Sequence, residues 1–184
     1  MSASDPPDST ELPPDGLRRW IVRLDRVGIW TGKFFAWLIL PMVGALVYEV
    51  FARYAFDAPQ VWAYDMTFML YGAHFMLGAA FTLAKGAHIR TDFFYRLWSP
   101  RVQATVDLTI YILFFFPGVG FFLWISAEFA WVSWLQSERI TTSPWLPIVY
   151  PFKTVIPVTA ALLLIQGVSE CLKCIETIKQ GRWT

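Results

Sequence analysis

Apolar residues run in four long blocks along this chain, and polar residues collect between them. The blocks are Ile29–Phe51, Val61–Ala84, Leu108–Trp134 and Pro147–Cys171. Each can cross a hydrocarbon core of ~30 Å, which takes ~20 helical residues. The pattern predicts an all-α membrane protein with four transmembrane helices. The first block is too long for a signal-peptide core and no small-residue cleavage site follows it, so it is expected to be retained. Ser99-Pro100 has the form of a helix cap followed by proline in the first turn, ahead of the third span. Pro117-Gly118 predicts a kink in that span, and Pro151 and Pro157 predict bends near the start of the fourth.

The connections set domain organisation and orientation. Residues 1–17, with four prolines and four acids, predict a disordered tail. Residues 18–175 form the four-span domain and 176–184 a C-terminal tail. Arg18, Arg19, Arg23, Arg26 and Lys33 lie before or at the start of span one. Lys85, Arg90, Arg96 and Arg101 lie between spans two and three, and Lys173, Lys179 and Arg182 follow span four. The other side holds only Arg53, Arg139 and Lys153. By the positive-inside rule both termini and the middle loop are cytoplasmic, as expected for a multi-pass protein of a bacterial inner membrane. Trp30, Trp62, Trp98, Trp134 and Trp145 fall near span ends, where amphipathic rings meet the headgroups. In the middle loop, Phe93–Trp98 mixes aromatic, aliphatic and basic residues over too short a stretch to span. That predicts a short interfacial helix lying among the lipid headgroups.

Composition agrees with the pattern. Hydrophobic residues make up 56% and charged residues 16% of the chain, against roughly 25% charged in a soluble domain. The net charge of +1 suggests no nucleic-acid partner. Cys171 and Cys174 form one C-x-x-C with no second pair to complete a zinc site. No phosphate-binding glycine loop, metal-ligand cluster or nucleophile constellation occurs. The reading is a non-enzymatic protein with no catalytic residue, cofactor or metal.

Ionisable groups inside a span cost ~2.5–3.5 kcal/mol each on insertion scales, so each needs a partner or a route to an interface. Lys33 and Glu49 lie near opposite ends of span one, Asp65 one turn into span two, and Glu128 in the outer half of span three. His74 is deepest. The other histidine, His88, lies ~21 Å along a continuous helix, so one haem cannot take both. No acid shares the depth of His74, which argues against a proton relay, and an interhelical hydrogen bond is expected instead. Gly28-x-x-x-Gly32 and the run Gly72, Gly78, Ala79 and Ala80 predict close helix packing. Four spans so poor in central polar groups make a weak solute pathway and read as a scaffold or accessory subunit.

An ordered set of residues resembles a known family. It begins with Arg53-Tyr54-Ala55-Phe56-Asp57-Ala58-Pro59, then Trp62 with Asp65 and the stretch Gly72–Ala80. Next come His88-Ile89-Arg90-Thr91-Asp92 with Tyr95, and Ser99-Pro100-Arg101. Ser133-Trp134 with Glu138, Pro144-Trp145, Lys153–Pro157 and Leu164-Ile165-Gln166 complete it. Together these resemble the small membrane subunit of tripartite ATP-independent periplasmic (TRAP) transporters, the DctQ-like family, over about residues 28–170. Asp65 stands where many members carry Glu. Phe75–Ala80 and Pro117-Gly118 are similar to a subgroup labelled for mannitol or chloroaromatic compounds.

The resemblance implies a small permease subunit bracing a large multispan permease that holds the solute and sodium sites. A periplasmic solute-binding protein would deliver an organic acid. It also implies structural or partner-contact roles for Arg53, Asp65, His74, His88, Arg90, Asp92, Glu138 and Lys153. Within that group, Arg90 and Asp92 are expected to pair and stabilise the middle turn together with His88. The alternatives are a cytochrome-like electron-transfer subunit and a small autonomous proton-coupled exporter using Glu49 or His74.

Overall fold

A computed structural model describes residues 16–86 and 98–181. The elements are α1 (Gly16–Ala36), α2 (Ile39–Phe56), α3 (Val61–Leu77), α4 (Ala79–Ala84), α5 (Pro100–Ile110), a π-turn (Tyr111–Phe115), α6 (Phe116–Leu135) and α7 (Tyr150–Gln180). Among the described residues no strand occurs; Arg139 and Ile148 form one isolated antiparallel bridge. Four helical segments are long and apolar enough to cross a membrane: 16–56, 61–84, 100–135 and 150–180. The proposed interfacial helix at Phe93–Trp98 falls, but for Trp98, outside the described residues.

Three of the four spans depart from a continuous α-helix, and proline chemistry accounts for two of the departures. A proline removes the N–H that would bond the carbonyl four residues earlier, and its ring crowds that carbonyl. In span one Pro41 acts on Trp37, and the helix breaks at Trp37–Leu38. Short-range bonds replace the α ladder there, from Leu38 N–H to the Phe35 carbonyl (3.1 Å) and from Leu40 N–H to Trp37 (3.1 Å). In span three Pro117 acts on Leu113. The expected kink is taken up one turn earlier, where the ladder widens so that Phe116 N–H reaches the Tyr111 carbonyl. This is how a π-turn relieves such a clash. In span four Pro151 sits in the first turn of α7 and is tolerated, while Pro157 lies inside the helix. Span two pauses at Gly78.

Span ends follow capping chemistry. Asp57 takes the left-handed conformation (φ 51°) after α2, and Ala58 N–H bonds the Ala52 carbonyl at 3.1 Å. The Asp57 N–H bonds the same carbonyl, so two amides past the helix close on one acceptor. Gly181 also takes the left-handed conformation after α7, at φ 74°, and its N–H bonds the Thr177 carbonyl at 2.7 Å. Ser99 precedes α5 with Pro100 in the first turn, but its side chain makes no cap bond. The first helix begins at Gly16, and α7 runs to Gln180, past the 175 boundary read from hydropathy.

Helix α7 is the hub: it packs against α1, α3, α4, α5 and α6. Its buried positions are small or polar, and Gln166, Thr177, Ser133 and Ser169 are the largest fully buried side chains. Alanines fill the rest of the interior, including Ala63, Ala80, Ala104 and Ala160. The large aromatics face outward. This inverts a soluble core, as expected where lipid is as apolar as leucine and close backbone approach drives packing. Gly32 faces the Cβ and ring of Phe81, and Gly167 faces Phe115. At Gly28 a methyl would stand 2.6 Å from Gln166 Oε1. The break at Trp37–Leu38 splits span one by neighbour: α1 packs into the bundle on α3, α4 and α7, whereas α2 packs on α3.

Candidate functional site

Polar side chains gather at both ends of the bundle, and the two gatherings are built differently. At the end where α1 begins and α7 finishes, Ile21, Asp25, Gly28 and Gly32 share one stripe of α1, spaced three to four residues apart. The facing stripe of α7 carries Gln166, Ser169, Glu170 and Lys173. Asp25 Oδ1 accepts hydrogen bonds from Gln166 Nε2 (2.8 Å) and Ser169 Oγ (2.6 Å). Asp25 Oδ2 pairs with Lys173 Nζ at 2.9 Å. Lys173 also donates to Glu170 Oε1 (2.7 Å), which takes a second bond from Gln166 Nε2 (3.1 Å). Both hydrogens of the Gln166 amide are thus used. Its buried Oε1 has no conventional donor and points at Gly28, where a Cα–H is the available contact. Nearby, the Arg101 guanidinium lies over Gly181, beside the α7 carbonyl terminus.

At the opposite end the loop between α6 and α7 is fastened by separate pairs. The Ser143 hydroxyl donates to Asp65 of α3, tying the loop to span two. Lys153 Nζ donates to Glu138 Oε2 at 2.5 Å and stands 4.0 Å over the Phe129 ring. The Lys153 ammonium holds the Glu138 carboxyl below its ordinary range. Val149 N–H bonds the Glu138 carbonyl (3.2 Å) and Ile140 N–H the Pro147 carbonyl (3.0 Å), closing the loop. Trp134 Nε1 donates to Thr154 Oγ1 at 2.8 Å, and its ring packs 4.4 Å from Tyr150. On α2, Arg53 grips the buried Glu49 carboxylate through Nε (2.8 Å) and an η nitrogen (2.5 Å).

Between these ends, His74 Nδ1 lies 3.2 Å from the Phe35 carbonyl, one residue before the end of α1. A carbonyl only accepts, so Nδ1 carries the proton there. His74 thereby bonds backbone next to the break in span one, the interhelical bond expected of it.

The structure therefore joins Glu138 to Lys153, Asp65 to Ser143, Arg53 to Glu49 and His74 to Phe35. His88, Arg90 and Asp92 lie outside the described residues. Sequence reasoning missed the Asp25 network. Asp25 sits three residues before Gly28 on a stripe already read as a packing face, and Gln166, Ser169, Glu170 and Lys173 repeat at helical spacing. That coincidence of stripes was the available signal. Cys171 and Cys174 are not joined in a disulfide. Among the described residues no group of three or more His, Cys, Asp or Glu side chains is placed to hold a metal ion.

A family described as "Tripartite ATP-independent periplasmic transporters, DctQ component" matches residues 42–177. No curated protein matches the chain significantly.

Proposed function

The chain belongs to the DctQ family of tripartite ATP-independent periplasmic transporters, and from that premise we propose that it braces the large permease of its system. Membership makes it the small membrane subunit of such a transporter, a multi-pass protein working with a large permease and a periplasmic binding protein. The finer reading is that the large subunit carries an organic acid with sodium, while this subunit stays fixed beside it. Both termini would be cytoplasmic, following the positive-inside count. The Asp25 end then faces the cytoplasm and the Glu138–Lys153 end faces the binding protein. Asp65, Arg53, Glu138 and Lys153 would shape the outer rim, and His88, Arg90 and Asp92 the inner turn.

The observation that carries the bracing role is the use made of polar groups. Asp25, Glu170, Lys173, Glu138, Lys153, Asp65, Glu49 and Arg53 are spent on bonds within the chain. A brace needs helices locked to one another; a carrier needs polar groups left for cargo. The test is reconstitution in sodium-loaded and sodium-free liposomes. Uptake of an organic acid is expected only with the permease, the binding protein, this subunit and a sodium gradient together. Flux through this chain alone, or full uptake without it, removes the reading.

A further inference from the structure

Glu128 stands apart from the other acids of the spans. It lies in α6 six residues, about 9 Å, inward of Trp134. It is exposed, and among the described residues it makes no hydrogen bond or ion pair. A carboxylate facing hydrocarbon is costly, and ionisable residues within spans almost always meet a partner. The exposed bases within the helical spans either lie near a span end or have an outlet. Arg53 is bonded to Glu49, and Lys33 has a long apolar stem that can carry its ammonium to an interface. Glu128 has neither.

Its surroundings have the make-up of an interface. Trp124 and Trp131, 74% and 65% exposed, lie one turn to either side of it on the same face. Ala127 and Ala130 floor a shallow groove beside them, walled by Trp131, Trp134, Thr154 and Pro157. Small residues let a helix backbone approach closely, and exposed tryptophans are typical anchors of interface energy.

We propose that this face of α6 is where the large permease docks, through a membrane-spanning helix that supplies a cationic or hydrogen-bond-donating side chain at the depth of Glu128. The proposal rests on the small-subunit reading and adds the face and the charge. The occupant is set by charge complementarity: an unpaired carboxylate at this depth calls for a donor from protein, since acyl chains offer none.

The test has two arms in membranes holding the full transporter. A photo-crosslinking amino acid replaces Trp124, and in a control Phe68, which is exposed on α3. An adduct with the permease from position 124, and none from 68, is expected. An adduct at 124 with only a second copy of this chain, or only with lipid, overturns the proposal. In the second arm Glu128→Ala is expected to lower recovery of the permease on the tagged subunit by about tenfold, while Phe68→Ala leaves it unchanged. Each variant is first shown to elute as a single species. Undiminished recovery with Glu128→Ala overturns the assignment of the charge. If the unsubstituted chain recovers no permease at all, the small-subunit reading fails instead, so the two failures are told apart.

Discussion

The two ends of this bundle solve the same problem with different wiring. At the Asp25 end, five side chains from α1 and α7 share their donors, and each acid is bonded more than once. At the loop end, Glu138–Lys153, Asp65–Ser143 and Glu49–Arg53 stand as separate pairs. A shared network holds all its members or loosens them together, and its energies do not add. Separate pairs fail one at a time. The difference suits what each must join: the network locks two whole helices, the first and the last, whereas of the outer pairs Glu49–Arg53 lies within one helix and the other two pin the loop before α7.

Removing Asp25 is the strongest way to test that contrast. Asp25→Ala takes one of two carboxylate partners from Lys173, the shorter of two acceptors from Ser169 and one of two from the Gln166 amide, and about 2–3 kcal/mol of stability should be lost, as for other partly buried charged hydrogen bonds. Unfolding in detergent measures it, and a loss under about 0.5 kcal/mol, the level of an exposed pair, would mean the network is not cooperative. A double-mutant cycle of Asp25→Ala with Ser169→Ala should show coupling. The same cycle of Asp25→Ala with Asp65→Ala, at opposite ends, should add within about 0.5 kcal/mol.

Next in size is packing. Gly32→Ala drives a methyl into the Phe81 Cβ and ring, and about 1–3 kcal/mol should be lost. Gly120→Ala, where a methyl meets open space, should instead gain up to about 1 kcal/mol from helix propensity. Equal effects would deny that the α1 side is the tighter one.

The smallest effects belong to the loop end. The Glu138 carboxyl is depressed in the folded protein, so its contribution is present above the ordinary value of 4.5 and lost as pH falls through the folded value. Melting temperature should therefore hold steady from neutral pH down to about that ordinary value and fall below it. Lys153→Met should flatten that acid limb. Arg53→Ala should cost about 1 kcal/mol, more than an exposed pair because it leaves the buried Glu49 carboxylate unpaired, and less than a fully buried one because Arg53 itself is half exposed. A larger loss would point to a burial that α2 acquires in the assembled transporter.

Sequence reading located the spans because hydropathy is a property of long windows, and each window survives a local break. It missed the break in span one and set the one in span three a turn late, at Pro117-Gly118. Pro41 was present, and the rule that proline disturbs the carbonyl four residues before it would have marked Trp37; in span three the same rule marks Leu113, within the π-turn. The pair Glu138 and Lys153 was legible as partner-contact candidates but not as partners of each other. Fifteen residues and a loop separate them, and only the loop's closure brings them together. Asp25 was hidden by its neighbours, because among Arg23 and Arg26 it looks like one more solvated charge. Its stripe, shared with Gly28 and Gly32, is what sets it inward.

The π-turn at 111–115 has a consequence for everything that follows it. Widening the coil takes up one surplus residue, and a residue in an α-helix is worth about 100° of rotation. Deleting a single residue from this turn would therefore let the coil close to its ordinary width and leave Trp124, Glu128 and Trp131 on nearly the same bearing, whereas a deletion between Phe116 and Leu123, where the coil has no residue to spare, would swing all three by more than a quarter of a circle. The wide coil is thus a buffer, able to give up one residue without turning the outward face beyond it.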